Sequence, residues 1–195
     1  MAAPETATLK NLNGTWVMNK TLSSPSDPPL TLQGISWLLR KAIGLATITL
    51  HITTYTDPAD SSFHIDIVQP GVGNLGGTTE KRVLDSSERE HTDHIFGHVK
   101  GRSSWVTLEE VGMEDKEDEA WLKEGWLEPK EEDEGKFVKS YVESVGNGWT
   151  ATQIWGFAMI GEERRYVRRA VVRKGPKVER VRLVYDYKGE RPAGQ

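Results

Sequence analysis

The sequence predicts an all-β protein: an up-and-down antiparallel barrel of about ten strands, with a short helix-turn-helix lid between strands 1 and 2. Three observations predict it. Short runs of alternating polar and apolar residues recur through the 195 residues, punctuated by Gly, Pro, Asn and Asp. One segment alone has clear helical periodicity, and it lies between the first two runs. With 36% hydrophobic residues, no internal repeat and no change of composition that marks a linker, one domain over 1–195 is expected, carrying an acidic insertion at about 110–135.

The strand runs are 14–20, 46–56, 62–69, 77–85, 91–99, 102–110, 136–144, 149–157, 162–174 and 178–188. In the second, Ile48, Leu50 and Ile52 alternate with Thr47, Thr49, His51 and Thr53, so one face is apolar and the other polar. Turns such as Gly146-Asn147-Gly148 and Gly175-Pro176-Lys177 make the last four runs sequential hairpins. The helical segment is 30–43, where Leu32, Ile35, Leu38, Leu39, Ala42 and Ile43 share a face. Ser26-Asp27-Pro28-Pro29 starts it and Gly44 ends it, while Gly34 favours two short helices over one. Within the insertion, 118–127 reads as a further short helix carrying Trp121, Leu122 and Trp126, and the remainder as loop.

Composition removes several classes of chemistry. Without cysteine there is no disulfide, no Cys-ligated zinc or iron–sulfur centre and no thiol nucleophile. No apolar run reaches the roughly 18–20 residues that cross a bilayer, and MAAPETATLK lacks the features of a secretory signal, so a cytoplasmic protein without stable membrane insertion is expected. The net charge of −4 hides a division: residues 109–134 hold 13 acids and 3 lysines, and residues 135–195 hold 13 bases and 6 acids. These segments attract one another. The acidic one reads as a solvated face or as a surface for a protein partner. Nucleic acid is not expected, because the arginines are spread through a β pattern beside a segment that repels phosphate.

Specific residues carry a family likeness. Asn13-Gly14-Thr15-Trp16 resembles a Gly-x-Trp signature on a first strand, the segment 34–46 resembles a second lid helix running into a strand, and Arg182-Leu183-Val184-Tyr185-Asp186-Tyr187 resembles a closing strand. With the order of elements, these make the chain similar to the calycin superfamily, in its intracellular fatty-acid-binding-protein and lipocalin branches. The resemblance implies a barrel that encloses a small hydrophobic ligand, and it extends to isomerases and cyclases of natural-product pathways. It departs from that pattern in the insertion and at Leu183, which stands two residues before Tyr185 where an arginine is common.

Alternation identifies the side chains that share the interior. On the ninth strand Arg164, Tyr166, Arg168, Ala170 and Val172 form the better inward face, with Arg165, Val167, Arg169, Val171 and Arg173 opposite. An inward Arg168 needs a carboxylate, enolate or phenolate partner or a buried acid, since an unpaired internal charge costs several kcal/mol; a ligand anion is one way to satisfy it, and pairing with a protein carboxylate or an outward-facing arginine is the alternative. The eighth strand adds Trp149, Gln153, Trp155 and Phe157, and the last adds Tyr185. Trp37 of the lid completes the candidate ligand-binding set, Trp37, Trp149, Gln153, Trp155, Tyr166, Arg168 and Tyr185.

Candidate catalytic groups are His94, His98, Tyr166 and Arg168. His94 and His98 would share a strand face about 13 Å apart, too far for one metal ion, so neither metal nor cofactor is expected. No nucleophile elbow or phosphate loop is present, and Gly71-Val72-Gly73-Asn74-Leu75-Gly76 matches a dinucleotide fingerprint by letter only, reading as a turn. Two functions stand open: binding of a hydrophobic lipid-, polyketide- or terpenoid-like molecule with a polar or anionic end, and a pericyclase-type cyclase or isomerase acting in the same cavity.

Overall fold

The computed structural model describes residues 1–71 and 76–190, the Asp93 side chain excepted. The expected turn at 71–76 therefore lies largely outside the described residues. Ten strands follow in order: β1 (Gly14–Met18), β2 (Thr49–Thr56), β3 (Phe63–Gln69), β4 (Thr78–Val83), β5 (Arg89–Asp93), β6 (Gly97–Val106), β7 (Phe137–Ser144), β8 (Trp149–Ile160), β9 (Glu163–Lys174) and β10 (Lys177–Gly189). Helices α1 (Asp27–Leu32) and α2 (Trp37–Leu45) stand between β1 and β2, and α3 (Lys116–Lys123) between β6 and β7.

Each strand but β5 pairs antiparallel with the one before it, and β1 pairs with β10 as well as β2, giving the order β4-β3-β2-β1-β10-β9-β8-β7-β6-β5. This is the expected barrel, a sheet curled until its edges approach. The two edge strands, β4 and β5, share no ladder among the described residues. Instead, the end of β4 is tied to β6 and β7, where Asp85 bridges to Ser104, Ser86 N–H donates to the Ser103 carbonyl (2.9 Å) and Arg82 Nη1 donates to Ser140 Oγ (2.8 Å). Among the described residues, no helix is long and apolar enough to cross a membrane.

Two strand expectations are corrected: the run 102–110 is not a separate strand, since β6 begins earlier and ends at Val106, with a turn over 108–110. The run 91–99 is not one strand: β5 ends at Asp93, the chain reverses through His94–Phe96, and β6 begins at Gly97, whose φ of +72° suits glycine. The alternating pattern continued across a hairpin turn, which periodicity alone does not distinguish from a strand. The lid divides as glycine foretells, because Gly34 adopts φ +83° between the helices, while Ser36 Oγ accepts from the Leu39 N–H to start α2.

Trp16 closes the lower end. It is fully buried, donates its indole N–H to the Leu12 carbonyl (2.9 Å), and lies 4.9 Å from the Tyr187 ring and 5.3 Å from the Tyr166 ring. The N-terminal segment seals that end with Leu9 and Leu12. The acidic insertion folds against the outside of the barrel rather than into solvent. Leu122 of α3 and Val111 cover outward-facing Ile154 and Val171, and Trp126 packs on Phe137 at 5.7 Å.

Charge attraction fixes that contact. Asp118, with no exposed surface, accepts from Arg173 Nε at 2.6 Å and from Arg180 Nε at 2.7 Å, joining β9 to β10. Arg169 pairs with Glu124 (3.0 Å) over the Trp121 ring (4.5 Å), and Arg165 pairs with Glu163 and Asp186. The outward arginines of β9 are thus spent on the protein's own acids.

Candidate functional site

The upper half of the barrel is hollow. A chamber of about 260 Å³ lies beneath the lid, walled by Leu30, Gln153, Arg168, Leu183 and Tyr185 among others. It joins a space of about 490 Å³ along the seam between β4 and β6, since both are lined by Gln33, Glu80, Phe96, Ala151 and Gln153. Alternation on three long, fully paired strands aims the inner side chains: Trp155 opposes Arg168 across β8 and β9, and Tyr185 opposes Tyr166 across β9 and β10. These are the inward faces expected from the sequence.

Arg168 is the centre of the site. Only 6% exposed, it stacks 3.8 Å from the Trp155 ring and 5.4 Å from the Tyr185 ring, and its Nε donates to Tyr166 Oη at 2.9 Å. Burial disfavours its charge, but the oxygens of Tyr166, Tyr185 and Glu80 outweigh that, so its pKa is raised and it remains a cation. Among the described residues, its buried Nη2 makes no hydrogen bond. A buried donor left unpaired costs about 1–3 kcal/mol, more when charged, and a carbonyl or anionic oxygen entering the chamber would satisfy it.

The surrounding groups are held in place. Trp155 donates its indole N–H to Gln153 Oε1 at 2.9 Å, leaving the Gln153 amide NH₂ available to the chamber it lines. Burial raises the Tyr166 hydroxyl to a pKa of about 12 and raises Tyr185 likewise, so both are neutral donors at neutral pH. Trp149 packs edge-on to Phe96, 6.0 Å between rings.

Sequence reasoning missed Glu80 and Arg82, because an inward polar residue on β4 reads the same as an outward one. Arg82 Nε and Nη2 both donate to Glu80 Oε2, at 3.0 and 2.7 Å. The Glu80 side chain keeps 42% of its surface accessible, facing the spaces it lines. Enclosure alone would raise its pKa, but Arg82 and Arg168 prevail and hold it below the ordinary carboxylate value.

The structure does not bring three candidates into this site. Trp37 stands 63% exposed on α2, a helix that buries none of its residues. His94 is exposed in the β5–β6 turn, and His98 is exposed on β6 with Nε2 3.0 Å from Glu90. The expected shared strand face for these histidines does not exist, because the turn comes between them. His91 instead lines the seam. Outside the barrel, at the β2–β3 turn, Asp57, Asp60 and His64 bring three metal-donor atoms within 4.8 Å of one another.

Comparison with known proteins agrees with this architecture. No protein-family profile matches the chain. Among solved structures it is similar to As-p18, an extracellular fatty acid binding protein (TM-score 0.53, 13% identity, 93% of this chain and all of that one). It is also similar to human cRBP IV (TM-score 0.51, 12% identity, 91% and 98%) and to Echinococcus granulosus fatty-acid-binding protein 1 (TM-score 0.50, 14% identity, 90% and 96%). At such identities the likeness establishes the calycin fold and nothing finer. Two relatives are much nearer in sequence. A probable pericyclase of Mollisia scopiformis, scpY, is 34% identical over 192 residues, covering 98% of this chain and 97% of that protein. The pericyclase pydY of an Acremonium species is 34% identical over 191 residues, covering 98% and 99%. With a calycin barrel, a hollow polar-lined interior and identity of this extent from end to end, the chain belongs to the pericyclase family that these two proteins represent.

Proposed function

We propose that the protein is a pericyclase, accelerating ring closure within a flexible, largely apolar polyene that carries a conjugated carbonyl. The observation that carries this is the near-full-length identity to two pericyclases. The interior supplies suitable means. A pericyclic reaction moves electrons around a closed loop of orbitals, so it needs no nucleophile and no proton transfer; it needs reacting carbons held close and an electron-poor alkene.

The chamber beneath the lid meets both needs. Leu30, Leu50 and Leu183 in the chamber, with Phe96 and Trp149 along the adjoining seam, offer apolar and aromatic surface on which a chain folds back on itself, removing unproductive conformers in advance. The free Arg168 Nη2–H would then hydrogen-bond the carbonyl oxygen and draw electron density from the attached alkene. Tyr166 and Trp155 fix the guanidinium and so keep that donor aimed. In acyl transfer one such donor is worth about 3 kcal/mol; a cycloaddition develops only part of that charge, so a roughly tenfold to hundredfold contribution is expected here.

The test is turnover of linear polyenes ending in an α,β-unsaturated carbonyl, followed by chromatography for a product of unchanged mass. Arg168→Met should lower kcat by that factor while tryptophan quenching reports near-normal affinity. A protein that binds such polyenes stoichiometrically and returns every one of them uncyclised is a carrier, and that result overturns the proposal.

A further inference from the structure

Ring closure uses Arg168, and a carboxylate in the same chamber, Glu80, helps keep that guanidinium charged. Glu80 lines both connected spaces, on an edge strand. Arg82 engages only its Oε2, and Arg82 is itself anchored on Ser140 Oγ at 2.8 Å. Oε1 makes no hydrogen bond among the described residues. Arg168, whose buried Nη2 makes no hydrogen bond among the described residues, lines the same chamber. An ionised carboxylate with a free oxygen and a cationic donor, on two residues that line one cavity, are the groups that enolisation requires: a base for a C–H proton and a partner for the oxygen that becomes negative.

We propose that Glu80 and Arg168 give the protein a second activity, the isomerisation of β,γ-unsaturated carbonyl compounds to their conjugated α,β-unsaturated forms. Glu80 Oε1 takes a proton from the carbon between the carbonyl and the alkene. The C–H electron pair becomes a carbon–carbon double bond and the carbonyl π pair moves onto oxygen, giving a dienolate whose oxygen is held by Arg168 Nη2–H. Protonated Glu80 then delivers the proton to the γ carbon, the carbonyl re-forms, and the double bond rests between α and β. Every atom stays in the substrate, and no oxidant, reductant or metal takes part. Because Arg82 and Arg168 both hold Glu80 as a weak base, the step depends on Arg168 stabilising the dienolate more than it stabilises the carboxylate. Such a reaction would conjugate an alkene immediately before ring closure. That placement rests on the pericyclase reading, whereas the isomerase activity does not.

The test uses the full-length protein and a long-chain methyl ketone with its double bond β,γ to the carbonyl. Conjugation is followed by ultraviolet absorbance, deuterium uptake from D₂O by mass spectrometry, and affinity by tryptophan quenching. The wild type should isomerise the ketone and incorporate deuterium. Glu80→Gln should lower the rate by about 10²–10⁴-fold with affinity changed less than about twofold, and Glu80→Asp should recover part of the rate. Melting curves of both variants identify any loss that comes from misfolding, and the Glu80→Asp recovery then decides. A wild type that fails to bind the ketone, binds without accelerating it, or is matched by Glu80→Gln overturns the proposal. Ring closure of an already conjugated polyene, measured on the same preparations, reports on the pericyclase reading separately.

Discussion

Asp118→Asn tests whether the acidic insertion holds the barrel from outside. The substitution keeps the shape of the side chain and removes the charge that joins Arg173 and Arg180. Rupture of a fully buried ion pair costs about 3–5 kcal/mol, because the surviving partner is left uncompensated. Here Asp118 is buried completely, but the arginine side chains are 31% and 33% exposed. Asp115 also stays 3.5 Å from Arg173 and 3.6 Å from Arg180, with Glu117 3.0 Å from Arg180. Solvent screening and these remaining acids reduce the expected loss to about 2–3 kcal/mol. For a domain of this size that lowers Tm by roughly 4–12 °C. Urea unfolding should show the same free-energy loss at unchanged slope. Combining Asp118→Leu with Arg173→Met and Arg180→Met should restore most of it, since apolar packing replaces buried ion pairs at little cost. A loss below about 0.5 kcal/mol in Asp118→Asn would refute the reasoning, as surface substitutions behave that way.

Three further outcomes are expected. Gly156→Ala places a Cβ 2.9 Å from both the Phe137 and Trp126 rings, so it should destabilise by about 1–3 kcal/mol in urea titration, and Trp126→Ala should relieve that penalty. Tyr166, at about 12 in the folded protein against 10.0 unfolded, binds its proton more tightly when folded. Its stability is present below pH 10 and is lost as pH rises through 12, a loss of about 2–3 kcal/mol that Tyr166→Phe should abolish in alkaline denaturation. Glu119, lowered from 4.5 to about 2 by hydrogen bonds from Lys123, the Met113 N–H and Lys116, works in the opposite sense: its stability is present above pH 4.5 and lost as pH falls toward 2. Glu119→Gln should flatten that part of the acid-unfolding profile.

Much of this molecule is legible in its sequence. Strands β8 to β10 run unbroken over 12 or 13 residues, so period two groups Trp155, Arg168 and Tyr185 with their inward neighbours, although β9 carries arginines and buried residues on both faces. Gly34 likewise divides the lid. What escapes detection does so for physical reasons. The sequence His91–Val99 alternates through a hairpin, which hides the turn that separates His94 from His98. Glu80 and Arg82 sit at ordinary polar positions of a short edge strand, and only the curl of the sheet turns them toward a cavity. Trp37 looks like a wall residue by its chemistry, yet α2 presents it outward. The opposed charges of the insertion and the last strands are plain in the sequence, while the burial of Asp118 between two strands is a tertiary fact.

A barrel that is braced from outside as well as packed within can change part of its interior cheaply. The Asp118 and Glu124 contacts brace β9 and β10 from the side away from the ligand space, so exchanging single chamber residues for larger, smaller or differently polar ones leaves that bracing in place. Selection on such a scaffold is free to retune which guest is held, and in what posture, without first repairing the fold.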